Sequence, residues 1–104
     1  MATPHITTPT YREFESRSHE EGFDEVLERT WKPETVIGEH GHPFAVRALM
    51  VAGDLWLTVA DETRHLRAGD TFELDRDQPH AERYGSEGAT FWVARRNAAG
   101  PAAS

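Results

Sequence analysis

Residues 44–60 read Phe-Ala-Val-Arg-Ala-Leu-Met-Val-Ala-Gly-Asp-Leu-Trp-Leu-Thr-Val-Ala, and the two halves of this run decide the fold. In the second half Leu55, Leu57 and Val59 alternate with Trp56 and Thr58. That period of two is the pattern of a strand with one buried face. The first half, Phe44–Ala52, is apolar on both parities except at Arg47. A strand of a small barrel buries one face inward, so an apolar outer face needs a helix, a second sheet or another subunit over it. Gly53-Asp54 between the halves reads as a turn.

Working outward, short runs recur between turn residues. The candidate strands are Glu25–Trp31, Thr35–His40, Phe44–Ala52, Leu55–Ala60, Thr63–Arg67, Thr71–Leu74, Pro79–Tyr84 and Ala89–Arg96. Lys32-Pro33-Glu34, Gly41, Asp61-Glu62, Ala68-Gly69-Asp70, Asp75–Gln78 and Gly85–Gly88 divide them. This spacing, about 8–12 residues, predicts an all-β sandwich or barrel rather than βαβ units. One short helix precedes the strands, between Thr10 and Gly22. Thr8 or Thr10 could cap its start, Gly22 could end it, and Tyr11, Phe14 and Ser18 give it a thin stripe. The expected layout is a flexible N-terminus over 1–9, one domain over 10–96 and a flexible tail over 97–104.

Composition narrows the chemistry. The 104 residues carry 18 acidic and 11 basic side chains, net charge -7, six histidines and no cysteine. Disulfides, thiolate metal sites and a cysteine nucleophile are excluded, so any metal must rest on His and carboxylates. The acidic balance argues against nucleic acid as a partner, and no apolar run reaches the roughly 20 residues of a membrane span. No secretory signal is visible, which predicts a cytoplasmic protein. Gly38-Glu39-His40-Gly41 lacks the lysine of a phosphate loop, and Ser16, Ser18 and Ser86 show no nucleophile-elbow pattern. The paired carboxylates (Glu20-Glu21, Asp24-Glu25, Asp61-Glu62, Asp75 and Asp77) sit at ends and turns, where solvation is the default.

The histidines remain. His5 falls in the N-terminal stretch, His19 near the helix C-terminus suits the helix dipole, and His65 between basic residues reads as surface. His40 and His42 form His-x-His, which on a strand sends both imidazoles to one face, where they can reach one metal ion. The plain alternative is a pair of polar residues at a barrel mouth, with His80 hydrogen-bonded to backbone.

His40-Gly41-His42-Pro43-Phe44, Gly53, Gly69-Asp70-Thr71 and Gln78-Pro79-His80 together resemble the cupin superfamily. Its two motifs run, in outline, G-x5-H-x-H-x3,4-E-x6-G and G-x5-P-x-G-x2-H-x3-N. His40, His42 and Gly53 match the first motif, and Gly69 and His80 match the second. Glu34, Asp75, Asp77 and Tyr84 replace a glycine, the proline, a glycine and the asparagine. The metal-binding glutamate falls on Val46, with Arg47 beside it. The resemblance spans about Trp31 to Arg96 and implies a small jelly-roll β-barrel with His40, His42 and His80 as ligands of one divalent ion.

Without the glutamate, three neutral imidazoles leave that ion its full +2 charge, which suits an anionic and even bidentate substrate. Three-histidine cupins of similar pattern include diketone-cleaving and thiol dioxygenases that use Fe(II) and O₂. The resemblance therefore favours an Fe(II) dioxygenase acting on a small anionic molecule, with Zn(II), Ni(II) or Mn(II) as other ions. A Lewis-acid isomerase or lyase and a non-catalytic, metal-free sensor module are the alternatives, since fold alone does not set function. Glu82 and Tyr84 share parity with His80. Glu82 is thus a candidate base or hydrogen-bond partner of a metal-binding histidine, set against a solvated rim carboxylate. Arg47, of opposite parity to Val46, should point outward to a surface or interface ion pair. Phe44, Met50, Trp56, Phe72, Phe91 and Trp92 read as core or interface. The two-faced strand and the habit of similar cupins predict a homodimer.

Overall fold

The computed structural model describes residues 9–97; His5 and most of both expected flexible ends lie outside them. Helix α1 (Tyr11–Glu20) precedes strands β1 (Glu25–Trp31), β2 (Val36–His40), β3 (Ala45–Val59), β4 (Glu62–Arg67), β5 (Thr71–Leu74) and β6 (His80–Arg96). A capping box starts the helix. The Thr10 side chain accepts from the Glu13 N–H, and the Glu13 carboxylate accepts from the Thr10 N–H. These bonds satisfy donors that a helix start otherwise leaves orphaned.

Two expected turns are bends inside long strands. Phe44–Ala52 and Leu55–Ala60 join as β3, and Pro79–Tyr84 and Ala89–Arg96 join as β6. Gly53 (φ 82°) and Gly88 (φ 69°) adopt left-handed backbone, and the β3–β6 register slips between Met50 and Ala52 and again between Gly53 and Leu55. Such bulges kink and twist a ladder without reversing the chain. The glycines read as turns therefore fold the sheet over itself.

Every ladder is antiparallel. The first half of β3 lies between β5 and the second half of β6, with β1 outside. The second half of β3 lies between β4 and the first half of β6, with β2 outside. Two faces, β1-β6-β3-β5 and β2-β6-β3-β4, are thus joined through the bends. No ladder among the described residues closes the edges. The expected all-β fold with one short helix is present, and among the described residues the antiparallel sheet of the expected jelly-roll barrel is folded over but open at its edges.

The core fills the space between the faces. Val46, Ala48, Met50, Phe72, Phe91 and Val93 of one face meet Leu55, Leu57, Leu66 and Tyr84 of the other. Outside, α1 supplies the cover that the two-faced strand requires. Tyr11 and Phe14 pack on Trp92 at 5.5 and 6.0 Å between ring centroids. Leu49, the cross-strand partner of Trp92, is buried. The Trp92 indole N–H donates to Glu28 at 3.0 Å. Arg47 points outward as parity predicts, pairing with Glu21 at the helix end and lying 3.9 Å from Glu73. No helix among the described residues is long and apolar enough to cross a membrane.

Candidate metal centre

β2 ends at His40, so His42 projects from the loop that follows rather than from the strand. The two imidazoles converge nonetheless, because a second loop clamps this one. The Asp77 N–H donates to the His42 carbonyl at 2.7 Å. Gly41 packs so closely that a Cβ there would stand 3.1 Å from the Asp77 carbonyl oxygen. The residue between the two histidines must therefore be small. The clamp brings the start of β6 alongside, where His80 pairs in register with His40.

The three rings form one cluster, with centroids 4.9 Å (His40–His42), 4.3 Å (His40–His80) and 5.2 Å (His42–His80) apart. One ring nitrogen from each lies within 4.8 Å of the others. Nδ1 of His40 is 2.8 Å from the Gly38 carbonyl, and Nδ1 of His80 is 3.0 Å from the Gln78 carbonyl. A carbonyl only accepts, so both Nδ1 atoms carry hydrogen, which leaves Nε2 of each ring as the atom available to a metal. This is how metal-binding histidines are held in structures generally. Burial lowers the His42 pKa, with His40 and His80 adding to the shift when charged, and favours its neutral, ligating form. His42 stacks on Phe44 at 4.9 Å. The donor set fits a divalent cation.

Glu82 approaches two of the three rings. Its Oε2 is 3.3 Å from His80 Nε2 and 3.6 Å from His40 Nε2. The Tyr84 hydroxyl donates a short hydrogen bond to its Oε1. Burial, the Glu82 charge and that bond all raise the Tyr84 pKa, so the phenol stays protonated as the donor. Tyr84 is fully buried and stacks on Trp31.

A cavity of about 170 Å³ adjoins the cluster, walled by Ile37, Phe44, Val46, Phe72, Leu74, Phe91 and Val93, with Arg29 and Arg95 as cations. Val46, at the cupin glutamate position, thus faces the site but is apolar. Phe44, Phe72 and Phe91 are wall as much as core. Arg29 and Arg95 escaped the sequence reading. Their signal was strand parity, because Arg95 continues the inward series Phe91, Val93 on β6. Arg95 lies over Phe44 at 4.6 Å, and its Nε is buried without a hydrogen-bond partner, as is the Trp31 Nε1. His19 and His65 lie elsewhere. His19 bonds the Phe23 carbonyl, while His65 pairs with Asp54 and stacks on Trp56.

Two of the motif departures fall on left-handed backbone. Glu34 and Asp77, which stand where the motifs carry glycine, both have φ 60°.

This folded-over sheet with histidines gathered at one end is a cupin. The chain belongs to the AraC-like ligand binding domain family, which matches residues 22–98. Among solved structures it resembles a DMSP lyase at TM-score 0.64 and 23% identity, over 70% of this chain and 38% of that one. It also resembles an RmlC-like cupin from Shewanella frigidimarina at TM-score 0.62 and 16% identity, over 72% of this chain and 68% of that one. A variant oxalate decarboxylase from Bacillus subtilis aligns at TM-score 0.60 and 25% identity, over 67% of this chain and 20% of that one. This chain therefore spans well under half of the lyase and decarboxylase chains. No curated protein matches it.

Proposed function

We propose that this cupin binds one divalent ion through His40, His42 and His80 and takes a small anionic organic molecule in the adjoining cavity. The observation that carries it is the convergence of three imidazoles, two of them fixed by carbonyls with Nε2 turned toward the cluster. Fe(II) is the favoured ion, and Zn(II), Ni(II) and Mn(II) suit the same donors. A bound ion would supply Lewis acidity and, as Fe(II), the capacity to engage O₂ in a dioxygenase reaction. The protein's own groups do the rest. Arg29 and Arg95 attract a carboxylate, the Arg95 Nε–H and Trp31 Nε1–H are free to donate, and the aromatic wall excludes water. Two of the similar solved structures are an oxalate decarboxylase and an oxalate oxidase, which supports an acidic substrate.

Metal analysis of protein purified without chelator tests the assignment. The expected result is one ion per chain in the wild type and loss in His80→Ala. Substoichiometric metal in the wild type, or undiminished metal in the variant, removes it. Oxygen uptake then separates the dioxygenase from a Lewis-acid isomerase or lyase, which consumes none. The family's ligand-binding character favours a second reading, a sensor without turnover. Its signature is ligand-dependent thermal stabilisation that survives loss of the histidines. The expected homodimer is tested by sedimentation at micromolar concentration, where a lone 11.7 kDa species overturns it.

A further inference from the structure

We infer that Glu82 is a fourth, carboxylate ligand of the ion, replacing from β6 the glutamate that Val46 lacks on β3. The inference rests on the three-histidine metal assignment above.

With Nδ1 of His40 and His80 committed to carbonyls, Nε2 of each ring faces Glu82 Oε2, 3.6 and 3.3 Å away. Imidazole nitrogens and a carboxylate oxygen turned toward one another are the donor set of a divalent cation. A divalent ion between His40, His80 and Glu82 would take one atom of each as a ligand. The distances fit it: metal–N of about 2.0–2.1 Å and metal–O of about 2.0–2.2 Å, opened to a tetrahedral angle, put N and O about 3.4 Å apart.

The carboxylate is also held for this role. Its side chain is only 11% exposed and lines the cavity beside apolar side chains and the cations Arg29 and Arg95. Tyr84 donates to Oε1, leaving Oε2 turned to the histidines. A ligating carboxylate fixed by a hydrogen bond is the usual arrangement of metal sites. His80, Glu82 and Tyr84 alternate on one face of β6, so a single strand supplies ligand, ligand and orienting group. The centre then carries +1 rather than the +2 of three histidines alone, and attraction for an anion passes in part to Arg29 and Arg95.

Co(II) titration of the full chain, followed by visible absorption and by competition with a chelator, tests this. The wild type is expected to bind one Co(II). Glu82→Gln should weaken binding at least about 100-fold, the upper end of what losing a merely orienting group costs, and should change the d–d spectrum. Val46→Glu in the Glu82→Gln background should recover affinity from the opposite wall. Circular dichroism of the apo variants checks that each is folded. Wild-type affinity and an unchanged spectrum in Glu82→Gln overturn the Glu82 assignment while the histidine site stands. A weakened affinity with an unchanged spectrum also overturns it, since Glu82 would then only orient the histidines. A wild type that binds no Co(II) overturns both.

Discussion

Gly53 on β3 and Gly88 on β6 meet backbone to backbone: a Cβ on Gly53 would stand 2.1 Å from the Gly88 carbonyl oxygen and 2.6 Å from the Ala89 Cα. Both long strands bend here, so this contact sets how closely the two faces approach and hence the cavity between them. Gly53→Ala must relieve a clash with backbone and also hold an L-residue in left-handed space, which alone costs about 1–2 kcal/mol. Gly69→Ala is the control, because Gly69 has φ 95° with open space around its Cβ position. Urea unfolding should show Gly53→Ala destabilised clearly more than Gly69→Ala. Equal losses would mean that the contact does not constrain the bend.

That contact also explains what the sequence concealed. Alternation in Leu55–Val59 and the clustering of turn residues made the strands legible, because period two is a local property. Whether Gly53-Asp54 reverses the chain or only bends it depends on Gly88, distant in sequence and close in space. The three histidines were legible because motif spacing fixes them, and the clamp of Asp77 on Gly41 and His42 makes that spacing productive. Parity placed Glu82 beside His80. It could not show that Oε2 meets two imidazoles, since His40 reaches that point from β2. Arg29 and Arg95 were missed for the same reason: a charged residue on an inward parity is visible, but the cavity that accepts it is made by the other face.

Glu34 predicts a gain rather than a loss. It is exposed and holds φ 60° at a position where the motif carries glycine. Glycine pays little there in the folded state but loses more entropy on folding, about 0.5–1 kcal/mol, against about 1–2 kcal/mol of left-handed cost for an L-residue. Glu34→Gly should therefore raise stability by about 0.5–1 kcal/mol. A lower denaturation midpoint would show that the Glu34 side chain contributes more than its backbone costs.

The outer face depends on α1, and α1 depends on its cap. Thr10→Ala removes the acceptor for the Glu13 N–H and should cost about 1 kcal/mol. Phe14→Ala uncovers part of Trp92 and should cost more than the loss of the cap. Sedimentation of Phe14→Ala should also show increased self-association, because an apolar strip on β3 and β6 becomes exposed. A variant as stable and as dispersed as wild type would mean that the helix does not protect this face.

Both tyrosines of the chain have raised pKa values. Burial is the leading cause at each, reinforced by Glu15 and Glu28 at Tyr11 and by Glu82 at Tyr84. A group whose pKa is higher folded than unfolded stabilises fully below its unfolded value and less as pH rises past it. Stability should therefore be level through neutral pH and fall above about pH 10, the unfolded phenol value. Absorbance near 295 nm should show little tyrosinate in the native protein at that pH, then a rise coincident with unfolding. Tyrosinate appearing in the folded protein near its ordinary pKa would contradict the burial of both phenols.

Arg95 offers the sharpest test of ligand class. Its Nε is buried without a partner, it lies over Phe44, and it adds to the lowering of the His42 pKa that burial chiefly causes. A carboxylate entering beside the histidines would meet a positioned N–H donor at this guanidinium, worth about 1.5–3 kcal/mol as a charged hydrogen bond. Arg95→Met keeps much of the side chain's length and apolar contact while removing the donor and the charge. With oxalate as the probe in a thermal-shift titration of metal-loaded protein, the variant should bind about 10- to 150-fold more weakly than wild type. Metal affinity should stay near the wild-type value, which separates loss of the anion contact from loss of the ion. If oxalate stabilises the two proteins equally, Arg95 does not touch the ligand and its outward pairing with Glu25, at 3.6 Å, is its role.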